Sequence, residues 1–107
     1  MRIWDIHPSK LCRKHLLGEH RELHAIYSIL LNGKKGYSKH PETKRWEGKL
    51  RALYLRHGQL AIEMRKRNYK HNSDLRFVND IPFQNDYVHT IAEQIEILKN
   101  KKCECEV

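Results

Sequence analysis

The chain has 107 residues, enough for one domain around one core and too few for two. Its 21 Lys and Arg against 13 Asp and Glu leave a net charge of +8, which points to a polyanion as partner. No apolar run approaches the roughly 20 residues that span a bilayer, and no signal-peptide core follows Met1. The expectation is therefore a cytoplasmic protein that meets nucleic acid rather than a membrane.

In chain order, Met1 to Ile6 reads as a short extended start, and His7-Pro8-Ser9 as a boundary. Pro8 biases His7 away from helix, and Ser9 is a good cap. A first helix is expected from about Lys10 to Leu31, stopped by Asn32-Gly33. The loop from Gly33 to about Thr43 carries Lys34, Lys35, Tyr37, Lys39 and His40. Such a loop suits a phosphate backbone and suits solvent equally well. A second helix is expected from Pro41 or Glu42 to Asn68, with Trp46, Leu50, Leu53, Leu60, Ala61 and Met64 on its buried face. Lys44, Arg45, Lys49, Arg51, Arg56, Arg65, Lys66 and Arg67 crowd the rest, as on an ordinary solvated face, with an excess of arginine over glutamate.

Residues 69 to 84 read as an ordered loop with Tyr69, Leu75, Phe77, Ile81 and Phe83 as packing anchors. Asn85 or Asp86 is the expected cap of a third helix running to about Lys101, with Val88, Ile91, Ile95 and Leu98 at helical spacing. Residues 103 to 107 form a charged tail, read as frayed, behind a helical domain of residues 1 to 102. The fold expected is all-α: three main helices, with the extended N-terminal segment near the first.

One stretch breaks the pattern. On a helix turning roughly 100° per residue, Cys12, Leu16, Leu23, Ile26, Tyr27 and Leu30 form an apolar arc, and His15, Glu19 and Glu22 fall inside it or at its edge. Carboxylates taken from water need partners, so Glu19 and Glu22 are either bridged to arginine or histidine or line a site. Both readings carry equal weight on the residues alone.

Other motifs carry less. The three cysteines, Cys12, Cys103 and Cys105, are odd in number, and Cys12 reads as a small core residue. The Cys103-x-Cys105 pair lacks a second ligand pair at finger spacing. His20 and His24 stand one helical turn apart, but a zinc-protease helix needs His-Glu-x-x-His, and no third ligand is visible in the sequence. No metal and no cofactor is expected.

The residues then carry a resemblance. Arg2-Ile3 at the amino end, His15-Leu16, Glu19 and Arg21-Glu22-Leu23 resemble the pyrimidine-dimer DNA glycosylase and AP lyase family, the endonuclease V type of phage. The likeness resumes with Lys49-Leu50, Arg67-Asn68-Tyr69, Asp80-Ile81-Pro82 and Asp86-Tyr87. It implies a compact all-helical domain whose amino terminus lies close to the first helix. It also implies a chemistry in which the terminal α-amine attacks C1′ of the damaged nucleotide, releases the base and forms an imine. A glutamate then moves protons through β-elimination, which cuts the strand. Carried over, Met1 supplies the nucleophile and Glu22 the acid/base group, while Arg2, His15 and Arg21 hold DNA; Lys34 and Lys35 join them as DNA-binding candidates on the charge of their loop.

Three departures from the pattern stand out. The phage enzymes expose a threonine after losing methionine, whereas Arg2 should prevent removal of Met1 here. Ala25 stands where the family has a further arginine, with His24 beside it, and the tail lacks the family's aromatic, basic character. Lyase action at abasic sites is accordingly the firmer expectation and the dimer the looser one. The resulting reading is a monomeric, metal-free repair enzyme acting on damaged or abasic duplex DNA. The alternative from another class is a basic nucleic-acid-binding module on the same fold without catalysis.

Overall fold

The computed structural model describes residues 3–33, 40–69, 75, 78–84, 86–101 and 105. Among them are four helices and no strand. A 3₁₀ turn over Pro8–Lys10 leads into α1 (Arg13–Asn32); α2 (Pro41–Lys44), α3 (Leu50–Lys66) and α4 (Ile91–Lys99) follow. The chain is all-α, with three helices of seven or more residues, as the apolar spacing requires.

Helix α1 buries Leu16, Leu23 and Ile26 completely against α3, where Leu53 and Leu60 are equally inaccessible. It begins three residues later than the spacing suggests, because Pro8–Lys10 closes its own tight turn, and Cys12 rather than Ser9 is the cap. It ends at Gly33, which adopts the left-handed conformation (φ 64°) and returns its N–H to the carbonyl of Ile29.

The helix expected from residue 41 to 68 is two helices. Pro41 starts α2, and His40 Nδ1 accepts the N–H of Glu42. The chain then turns out of the helix through Gly48, whose φ of 72° only glycine adopts cheaply. Lys49 brings no side-chain cap to α3. The carboxylate of Asp80, thirty residues on, supplies it instead, accepting the N–H groups of Leu50 at 2.9 Å and Arg51 at 2.6 Å. Trp46, in the break, is buried as expected.

The last helix is also shorter than its apolar spacing suggests. Thr90, not Asn85 or Asp86, caps it, in a reciprocal box with Glu93. Val88 precedes the helix and Ile91 is exposed, so Leu98 and the half-buried Ile95 carry the packing. Tyr69 and Leu75 pack against the core, whereas Ile81 and Phe83 are exposed; Phe77 lies outside the described residues.

The N-terminal segment lies inside the fold. Ile3, Trp4, Ile6 and Leu11 all belong to the core. An extended segment with no strand beside it still has to satisfy its buried N–H groups. Three helices do this with side chains: Ile3 N–H donates to Glu42 Oε1 at 3.1 Å, Trp4 N–H to Glu19 Oε1 at 3.1 Å and Asp5 N–H to Gln94 Oε1 at 2.8 Å. Each carboxylate then holds an arginine. Arg56 grips Glu19 with two bonds, Nε to Oε2 at 2.7 Å and Nη2 to Oε1 at 3.0 Å. Arg45 donates to Glu42 and to the carbonyl of Ile3, and pairs with Asp5. Burial works against the Arg45 cation, but Glu42 and Asp5 outweigh it and hold its pKa above the ordinary value. Among the described residues no buried side-chain nitrogen or oxygen lacks a partner.

Burial pushes the Glu19 carboxyl above the ordinary carboxylate range, against the opposing pull of Arg56 and the Trp4 N–H. Arg56→Met leaves that carboxylate buried without its cation, and should cost about 3–5 kcal/mol in urea unfolding at neutral pH. A carboxyl raised in the folded state binds its proton more tightly there than in the unfolded chain, so folding loses free energy as pH climbs through the raised value. The deficit of the variant should therefore shrink in acid, below the ordinary carboxylate range, and Glu19→Gln added to Arg56→Met should restore much of it.

Candidate active site

The two glutamates of the core-facing arc have separate fates. Glu19 is 2% exposed and fully engaged by Arg56 and the Trp4 N–H, so it is the bridged structural carboxylate. Glu22, about 4.5 Å further along α1, is half-buried and makes no hydrogen bond or ion pair among the described residues. A carboxylate at the edge of a core with its oxygens uncommitted is equipped to accept and return a proton. Arg21, beside it, is exposed.

Glu19 also ties the N-terminal segment to α1. It holds the N–H of Trp4, and Glu42 holds that of Ile3. Met1 and Arg2 lie outside the described residues, as do Lys34 and Lys35.

His15, one turn before Glu19, is half-buried. Its ring meets Trp4 edge-on with centroids 5.9 Å apart, and its Nδ1 lies 3.1 Å from Cys12 Sγ and 3.2 Å from Cys105 Sγ. Burial lowers its pKa, and Lys101 and Lys14 lower it further. A contact from His15 to DNA therefore falls to its Nε2 edge. Cys12 is half-buried and faces His15 and Cys105, so it is not the core filler its spacing suggests.

Part of the basic charge is spent inside the fold. Arg45 and Arg56 are buried in the ion pairs that hold the N-terminal segment. Arg67 bonds Glu63 and spans the carbonyls of Pro8, Ser9 and Leu11. Among the described residues Lys10, Arg13, Lys14, Arg21, Lys44, Arg65, Lys66, Lys99 and Lys101 are exposed.

Several of these residues escape a reading of the sequence. Glu42, Arg45 and Gln94 fix the segment that leads to the amine, yet lie far along the chain from it. His57 joins His20 and His24 from α3, which answers the missing third ligand. The periodicity of α3 marks His57 as facing inward, but nothing in the sequence says which face of α1 it meets.

A family model described as pyrimidine dimer DNA glycosylase matches residues 1–77. The chain belongs to that family. The match takes in the N-terminal segment, Glu19, Glu22 and the whole of α3. Membership makes the protein a DNA-repair glycosylase in type, with DNA carrying pyrimidine dimers as the family's substrate. Neither a curated protein nor a solved structure shows a match. No described helix is long and apolar enough to cross a membrane.

Proposed function

We propose that the protein is a DNA glycosylase with AP lyase activity that works through the α-amine of Met1, with Glu22 as its proton carrier. The observation that carries this reading is the contrast on α1: Glu19 is spent on holding the chain start in place, and Glu22, one turn on, is left uncommitted. Two carboxylates on one face, one bound and one free, fit a division between positioning and chemistry.

The chemistry follows from an amine beside a carboxylate. An α-amine has an ordinary pKa of about 7.7 to 8.0, so a useful fraction is neutral at cellular pH, where a lysine near 10.4 is almost wholly charged. The neutral amine forms a bond to C1′ as the glycosidic bond to the base breaks, and the nitrogen gives up a proton. The sugar ring opens and leaves an imine between the amine nitrogen and C1′. The imine acidifies the hydrogens on C2′; Glu22 takes one as a base, and the 3′ phosphate departs by β-elimination. Water then hydrolyses the imine and frees the amine.

Arg2 and Arg21, with Lys34 and Lys35, are the candidate holders of the phosphates flanking the lesion, and His15 contributes through Nε2. A lesion inside a duplex has to be unstacked before C1′ is reached, which favours sites already weakened by damage. The partner is duplex DNA with a damaged or abasic site, met by a monomer.

Two experiments test the assignment. Glu22→Gln should lower strand cutting by at least about a hundredfold while leaving urea stability and most DNA affinity intact, because the carboxylate is not part of the packing. Cutting that persists at the wild-type rate removes Glu22 from the mechanism. Borohydride should trap the untagged protein on an abasic duplex and on one with a thymine dimer, with the adduct on Met1. An amino-terminal extension, which turns the amine into an amide, should yield no adduct, whereas an extension at the carboxyl end should leave it unchanged. Trapping on a lysine, or none on either duplex, refutes the amine.

A further inference from the structure

Two helices meet through three imidazoles. His20 and His24 stand one turn apart on α1, and α3 brings His57 against both, its Nε2 3.2 Å from His20 Nε2 and 3.1 Å from His24 Nε2. All three ligand atoms lie within 4.8 Å of one another; His57 is buried and its partners are half-buried. A neutral imidazole nitrogen carries either one proton or one lone pair. Hydrogen bonding alone therefore makes His57 Nε2 share a single proton or lone pair between two neighbours. Protonating the rings would put cations against one another. A metal ion satisfies all three lone pairs at once.

The spacing fits that demand. Zinc bound at about 2.0–2.1 Å in a tetrahedron keeps its nitrogen ligands about 3.3–3.4 Å apart, close to the two separations that His57 makes, with the third pair within 4.8 Å. We propose that the Nε2 atoms of His20, His24 and His57 hold a zinc ion, with water at the fourth position, and that the ion clamps α1 to α3. The placement supports a clamp. Glu19 and Arg56, which precede His20 and His57 in the chain, already join these helices by an ion pair. The metal would fasten the same register a second time, on the helix that carries Glu22, without taking part in the amine's chemistry.

A different observation carries a second site. Cys12 Sγ, His15 Nδ1 and Cys105 Sγ converge at 3.1 and 3.2 Å, and the Cys12 N–H donates to Cys105 Sγ at 3.1 Å. Cys12 caps α1, where the positive end of the helix favours a thiolate. We infer that these three side chains take a second zinc ion, fastening residue 105 to the start of α1. Thiolate ligands set this site chemically apart from the first.

Each site is measured in the full chain with the other removed. In a Cys12→Ser/Cys105→Ser chain freed of metal by chelator, zinc should bind once and raise the melting temperature. His57→Ala, or His20→Ala at a half-buried position, should weaken binding at least about tenfold, the loss that even an outer-shell change produces. Unchanged affinity in both variants, or no zinc uptake by the parent, overturns the clamp. In a His57→Ala chain, cobalt(II) should give the charge-transfer absorption of a metal thiolate, and Cys12→Ser should abolish it. An absent band, one indifferent to Cys12, or a chain two hydrogens lighter with Cys12 and Cys105 joined overturns the second site.

Discussion

The structure depends on one awkward requirement: an extended chain start has to be buried among helices that offer it no backbone acceptors. Helices spend their carbonyls internally, so the N–H groups of residues 3 to 5 have only side chains to turn to. Glu42, Glu19 and Gln94 answer from α2, α1 and α4. Because two of the three are carboxylates, burying them calls in Arg45 and Arg56. The ion pairs at the centre of this protein thus follow from the placement of its amino end.

That chain of needs redistributes the charge. The excess of arginine in the middle of the sequence suggests a basic helical face, but its most central members are turned inward. Among the described residues six lysines stay exposed, with Arg13, Arg21 and Arg65. Lysine meets phosphate as a point charge rather than a planar fork, so the surface is suited to following a backbone more than to reading base edges.

Much of this was legible in the sequence. The first helix, its stop at Gly33, the buried face of α3 and the conflict posed by Glu19 and Glu22 follow from spacing alone. The rest hangs on partners remote in the chain. The break before α3 needs Gly48 and the distant Asp80 together, and neither decides it alone. The late start of α4 was within reach, since Thr90 and Glu93 have the spacing of a capping box, but Asp86 is as good a cap in isolation. Which glutamate would be bound and which left open was beyond reach, because Arg56 chooses between them through the register of two helices. His57 beside His20 and His24 is hidden for the same reason.

The bond between Asp5 and Gln94 joins residues 89 apart in sequence. The N-terminal segment is thus made early in synthesis, yet its last fastening waits until α4 has been translated. Until then Glu42 and Glu19 hold only part of it, with one side open to solvent. The order of synthesis therefore leaves the N-terminal segment incompletely held until the domain is finished, and a chain cut short before α4 lacks one of the three side chains that satisfy its N–H groups.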